Sequence, residues 1–195
     1  MGRPFGFRGK LPVLAMRVRM VFNRGMPPLF PEPHSENSHL RAHADLLQAS
    51  FRHWTGRELL SEEELQGDSA ERARRLYEAP FVVLSHNAEA DPVFTYGNLT
   101  AQRLFELSWG ELTGMPSRFS AELPNREERA RLLDTVARCG FMEDYEGVRI
   151  SKTGRRFLVR RALVWNLVDG SGNRCGQAAT FREWEPVEVS SDLKR

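Results

Sequence analysis

The 195-residue chain is expected to fold as one α+β domain: a five-stranded antiparallel sheet with helices on one face and an N-terminal helical cap. Three observations carry that expectation. Apolar residues recur at helical spacing up to residue 79, and the period then shortens to that of strands. It changes twice more, so the element order is helices, two strands, helices, three strands. A hydrophobic content of 41% closes a single core of this size, and covering the apolar sheet face with helices leaves one concave surface between them.

Charge narrows the function classes. With 28% charged residues and a net charge of +2, the chain as a whole is neither a disordered polyelectrolyte nor a strongly basic nucleic-acid binder. The charge is uneven: Arg3, Arg8, Lys10, Arg17, Arg19 and Arg24 meet no acid in residues 1–26, which carry +6 and leave −4 for the rest. The longest apolar stretch there, Leu11–Met16, contains Pro12 and stops at Arg17. A secretory core needs about 7–15 apolar residues and a membrane span about 20. The segment reads as an extension, or as an upstream start with initiation at Met16, Met20 or Met26. Pro27, Pro28, Pro31 and Pro33 extend it into a spacer, giving a basic, proline-rich leader over 1–34. Cys139 and Cys175, with no export signal, are expected as free thiols in a cytoplasmic protein that contacts neither membrane nor nucleic acid.

Residues 35–79 form the cap. Leu40, Ala44, Leu47, Phe51 and Trp54 make one apolar stripe on a helix that begins near Ser35 and ends at Gly56. Ser61 and Glu64 have capping-box spacing and predict a second short helix. Asp68 to Glu78 predicts a third, with Ala70, Ala73, Leu76 and Tyr77 inward and Pro80 as its stop.

Residues 80–185 form the core, with a short tail over 186–195. Phe81–Leu84 and Val93–Tyr96 flank the turn-prone Asn87–Pro92 and predict a hairpin. Leu99–Leu107 and Trp109–Thr113 read as short helices broken by Gly114 and Pro116. Asn125 is expected to cap the next helix, with Glu127 and Glu128 in its first turn, Ala130, Leu133, Val136 and Ala137 inward, and Arg138 and Gly140 at its end. Strands follow at Phe141–Ile150, Arg156–Val168 and Arg174–Trp184, joined by Lys152-Thr153-Gly154 and Asp169–Asn173. In the middle strand Phe157, Val159, Leu163, Trp165 and Leu167 share one phase, interrupted by Arg161.

This order of elements resembles a PAS domain, whose N-terminal half is matched by Phe94-Thr95-Tyr96-Gly97-Asn98, Leu104-Phe105 and Trp109–Gly114. Ala90-Asp91-Pro92, Tyr96-Gly97-Asn98, Pro116-Ser117-Arg118, Asn125–Arg129, Gly154–Phe157, Val164–Leu167 and Gly176–Ala179 together resemble the MEKHLA family, a PAS-like module, over roughly residues 39–184. Residues 35–185 are then one MEKHLA domain. Such domains occur alone in bacteria and at the carboxyl end of plant homeodomain leucine-zipper transcription factors, where they receive a signal and restrain dimerisation. The resemblance implies a sensory or interaction module. Nothing here matches the homeodomain or the zipper.

Light-sensing PAS domains carry flavin beside a reactive cysteine in a Gly-x-Asn-Cys-Arg-Phe-Leu-Gln segment. The aligned residues here are Gly114–Ala121, where Ser117 replaces the cysteine, so no cysteinyl adduct can form at this position. Flavin binding without an adduct stays open through Gln177 on the last strand, where such domains place an amide; the plainer reading is an inward glutamine bonded to its neighbours. Haem is disfavoured, because the helix from Arg126 to Gly140 lacks histidine. His39 and His43 have a zinc-compatible spacing but lack a third ligand. Ser85, His86 and Asp91 contain triad residue types, and Glu143, Asp144 and Glu146 a carboxylate run, yet turn chemistry and strand alternation account for both. Arg155, Arg156, Arg160 and Arg161 are expected to pair with acids such as Glu143, Asp144 and Glu146.

The expected function is a non-catalytic sensory, ligand-binding and dimerising module in signalling. A small apolar or aromatic ligand would occupy the cavity, and the α-helical stripe of Leu40, Leu47, Phe51 and Trp54 would dock on the sheet or on a second subunit or other protein. The expected cavity residues are Phe94, Tyr96, Leu104, Trp109 and Met115 from the first half, and Leu133, Val136, Trp165, Gln177 and Phe181 from the second. The alternatives are a small enzyme using Tyr145, Arg149 or His86 in the same cavity, and an interaction module with a filled core.

Overall fold

The computed structural model describes residues 30–187. The leader, apart from residues 30–34, and the tail beyond residue 187 lie outside the described residues. The elements are α1 (Arg41–Thr55), α2 (Ser69–Glu78), β1 (Val82–Asn87), β2 (Phe94–Gly97), α3 (Leu99–Phe105), α4 (Trp109–Leu112), α5 (Leu123–Cys139), β3 (Phe141–Ile150), β4 (Arg156–Val168), β5 (Arg174–Phe181) and β6 (Glu183–Pro186). All strand pairs are antiparallel, in the order β2-β1-β5-β4-β3, with β6 also on β4.

Local chemistry explains most boundaries. α1 ends at Gly56, whose left-handed φ of 67° lets its N–H reach the Arg52 carbonyl. Asp68 caps α2 by accepting from the Glu71 N–H at 2.9 Å, and Asn98 caps α3 by accepting from Ala101 at 3.1 Å.

Four expectations need correcting. α1 begins at Arg41 rather than near Ser35, because Ser38, His39 and Leu40 take left-handed backbone angles at the end of a 3-10 turn. Ser61 and Glu64 do exchange hydrogen bonds, at 2.8 and 3.3 Å, but close one turn and not a helix. α5 starts after Glu122, so Asn125 lies within its first turn and donates its N–H to the Glu122 carbonyl. The last strand breaks at Arg182 into β5 and β6.

That break has a counterpart on β4. Arg161 has a φ of 45°, and alternation resets there: Phe157, Val159 and Ala162 share one core cluster, whereas Leu163, Trp165 and Leu167 belong to another. The single phase expected for these residues is therefore overturned. From Ala162 onward β4 is buried on both faces, down to Leu167. The sheet is a central layer. On one face α1 and α2 cover Val83, Tyr96, Trp165 and Leu167, with Phe51 edge-on to Trp165 at 5.1 Å between ring centroids. On the other face α3 and α5 cover Leu84, Phe181 and Val164.

Candidate functional site

The site lies beneath α5. Arg129, Leu132, Leu133 and Val136 recur at three- and four-residue intervals, so one stripe of the helix faces the sheet; Ala130, expected inward, is exposed. Between this stripe and the strands is a cavity of about 60 Å³. Its walls are mainly apolar, from Leu84, Phe94, Phe105, Val159, Ala162 and Phe181. Its polar residues are Arg129, Arg149, Tyr145, His86, Ser85, Ser120 and Gln177.

Arg129 is 8% exposed, and its Nη2 donates to Ser117 Oγ at 2.8 Å. Among the described residues neither Arg129 nor Arg149 has an ion-pair partner. Burial, reinforced by the neighbouring Arg149 charge, pulls the Arg129 pKa down to about 10, so the group is still cationic at neutral pH. Arg149 donates to Tyr145 Oη at 3.1 Å and to its neighbour's carbonyl, that of Val148, at 2.9 Å. Gly147 makes this arrangement fit: a Cβ there would overlap the Tyr145 hydroxyl. His86 bonds through Nδ1 to the Asn87 carbonyl at 2.8 Å, which places its proton on Nδ1, and burial holds its pKa at about 4, so the ring is neutral. The site therefore presents two guanidinium groups and no carboxylate.

Of the ten expected cavity residues, Phe94, Leu133, Gln177 and Phe181 come together here. Leu104 and Met115 pack in the adjoining core, and Val136 packs with Val164 beside the cavity. Tyr96, Trp109 and Trp165 lie with the cluster under the cap: Trp165 alternates away from α5, a bulge opposite Ser85 and His86 turns Tyr96 away from the face of Phe94, and Trp109 comes from α4. Tyr145, Arg149 and His86, named for the enzyme alternative, all line the cavity. Arg129 was missed, although it stands three, four and seven residues before Leu132, Leu133 and Val136, which is the helical signature of an inward position.

Gln177 takes the plainer role. Its amide donates to the Leu133 carbonyl at 2.8 Å and to Asn166 Oδ1 at 3.1 Å, while Asn166 donates to the Val136 carbonyl at 2.9 Å. Together they fasten α5 to the sheet. Ser85 pairs with His43 and Thr95, each at 2.9 Å, and Asp91 pairs with Arg118, so the triad residue types do not assemble. Among the described residues no three His, Cys, Asp or Glu side chains gather as a metal site. Strand bulges leave Glu143, Asp144 and Glu146 all exposed. The hairpin arginines are paired, but mostly with other acids: Arg155 with Glu106, Arg156 with Glu122, Arg160 with Glu146 and Glu185, and Arg161 with Glu183. Both cysteines are free and exposed.

The MEKHLA domain family model matches residues 41–186. The chain belongs to the MEKHLA family. Curated relatives include the homeobox-leucine zipper protein HOX29 of rice, Oryza sativa, in both the indica and japonica subspecies, each 24% identical over 123 residues. That alignment covers 63% of this MEKHLA chain and 14% of each relative, so the chain spans a small part of their length. Among solved structures, the PAS domain of a Colwellia psychrerythraea protein superposes with a TM-score of 0.51 at 12% identity, covering 60% of this chain and 94% of that one. A light-oxygen-voltage domain described with a flavin analogue superposes at 0.48 and 16% identity, covering 60% and 84%. The MEKHLA chain thus has a PAS-like α+β fold. Among its described residues no helix is long and apolar enough to cross a membrane.

Flavin, the cofactor left open through Gln177, does not fit these residues. A cavity of about 60 Å³ is well below the roughly 300 Å³ at which sites for drug-sized ligands begin, and Ser117, at the cysteine position, is engaged by Arg129.

Proposed function

We propose that this MEKHLA domain is a sensory module that holds a small molecule in the cavity beneath α5 and passes its occupancy to the cap helix α1. The observation that carries the reading is a partly enclosed cavity whose main helical wall is joined to the cap through a single residue of β4. Asn166 is the junction: its amide donates to α5 at Val136, and its backbone carbonyl accepts the indole N–H of Trp54 on α1 at 2.9 Å. A ligand that binds unequally to two positions of α5 would shift α1 through this contact.

The reading requires a cap with two positions. Ala44, Leu47 and Phe51 are buried against the sheet, so dimerisation through them requires the helix to lift. The enzyme alternative draws on the convergence of Tyr145, Arg149 and His86, and it requires that a bound compound be consumed.

The test is a thermal-shift screen of small acids, amides and aromatics on the wild type and on Ala162→Leu, which fills the cavity. A compound that raises the wild-type Tm but not that of the variant supports the chamber. No stabilising compound would overturn it. Hydrogen exchange of residues 41–55 with that compound should change, and unchanged exchange refutes transmission to α1. NMR of the recovered compound separates a sensor, which returns it intact, from an enzyme.

A further inference from the structure

We propose that the cavity is selective for a small organic monocarboxylate, with its anionic end between Arg129 and Arg149 and its short apolar body against Phe94, Phe105 and Phe181. The inference rests on the chamber reading and adds the chemical class of its occupant.

The first support is uncompensated charge. Arg129 is 92% removed from solvent by its neighbours and has one hydroxyl, Ser117 Oγ, as its side-chain partner. Arg149 bonds only neutral acceptors, Tyr145 Oη and the Val148 carbonyl. Taking a guanidinium out of water is costly unless an opposite charge meets it, and here two sit close enough to repel. Holding Ser117 needs only a neutral donor, which would avoid that cost. An anion between the two groups would satisfy both, because a carboxylate matches the forked guanidinium geometry.

The second support is size and wall chemistry. A volume of about 60 Å³ admits roughly four to six heavy atoms, at about one atom per water-sized sphere. Away from the arginines the polar groups are the single ones of Tyr145, His86, Ser85, Ser120 and Gln177, and the remaining wall is hydrocarbon and phenyl, so a phosphate, which carries oxygens on every side, would turn some of its acceptors toward Phe94, Phe105 and Phe181. A three- or four-carbon acid presents charge at one end only. His86, with its proton committed to the Asn87 carbonyl, adds no opposing negative charge.

The experiment titrates the full-length protein with sodium butyrate, butyramide and sodium phosphate at matched ionic strength, by calorimetry and thermal shift. Saturable binding of butyrate, at least tenfold tighter than butyramide and phosphate, is expected. Arg129→Gln should weaken butyrate at least tenfold, and Arg149→Gln severalfold, with butyramide unaffected. Should Arg129→Gln fail to fold, Arg149→Gln and the wild-type comparison of acid with amide still decide. Equal binding of butyrate and butyramide overturns the charge selectivity and leaves the chamber intact. Phosphate binding as tightly as butyrate overturns the organic-acid class. A wild type that binds none of the three while accepting another compound of the thermal-shift screen refutes this inference alone, whereas binding nothing at all refutes the chamber as well.

Discussion

Gly140, at the end of α5, lies directly under the indole of Trp54 on α1, and a Cβ added there would overlap Cε3 and Cζ3 of that ring. Its φ of 94° is open only to glycine at low cost, and its carbonyl accepts the Asn166 N–H at 2.8 Å. Gly140→Ala should therefore lower stability by about 2–3 kcal/mol, combining backbone strain with the displaced indole. Urea unfolding measures this, and a variant within about 0.5 kcal/mol of wild type would show that cap and helix do not press together there.

Asn98 is a fully buried node. Its Oδ1 accepts from the N–H groups of Val83 and Ala101, both at 3.1 Å, and its Nδ2 donates to the Phe81 carbonyl at 2.6 Å. One side chain thus caps α3 and closes the edge of β1. Its Nδ2 also makes longer contacts, at 3.4 Å, with the Leu76 and Ala79 carbonyls, so Asn98→Ala would strip five backbone groups of this partner, and a loss of about 3 kcal/mol or more is expected. Asn98→Asp keeps the acceptor but turns a carboxylate oxygen on the Phe81 carbonyl in a fully buried site, so it should lose at least as much. If both variants unfold at the wild-type urea midpoint, the node is not structural.

What the sequence made legible is what depends on near neighbours. The α1 stripe with Gly56, the helix ending before Pro80 and the first hairpin follow from spacing and turn chemistry alone. The reset of β4 was hidden because Arg161 adopts a left-handed angle that glycine or asparagine usually advertises. Tyr96, Trp109 and Trp165 were placed at the cavity because an aromatic side chain reads as inward without saying toward which layer. Arg129 escaped for the opposite reason: a charge on an amphipathic helix reads as solvent-facing until coordinates put a cavity beside it.

Tyr96 carries a hydroxyl that is buried without a hydrogen-bond partner, in a ring packed edge-on to Trp109 at 5.7 Å. An unpaired buried hydroxyl costs about 1–3 kcal/mol, whereas the ring contributes by packing. Tyr96→Phe keeps the ring and removes the cost, so stability should be unchanged or higher by about 1 kcal/mol. Tyr96→Ala should lose about 3–5 kcal/mol through the cavity it leaves. A Tyr96→Phe protein clearly less stable than wild type would reveal a partner for the hydroxyl, and that outcome contradicts the packing described.

His43 and His86 both sit inside the fold with pKa values held down to about 4 by burial, against 6.5 in the open chain. His43 faces the Ser85 hydroxyl and the Tyr96 ring, and His86 faces the Asn87 carbonyl and the charges of Arg129 and Arg174. Because both folded-state values are depressed, the unfolded chain takes up protons first as pH falls below 6.5. Stability should be full above that pH and decline through the interval down to about 4, by on the order of 2–3 kcal/mol per imidazole. His43→Gln removes one titrating group, and about half of the decline should disappear even if the variant is weaker at neutral pH. Urea midpoints compared at about pH 7.5, 5.5 and 4.5 give the slope; a wild type equally stable at all three would mean that neither ring is buried in its neutral form.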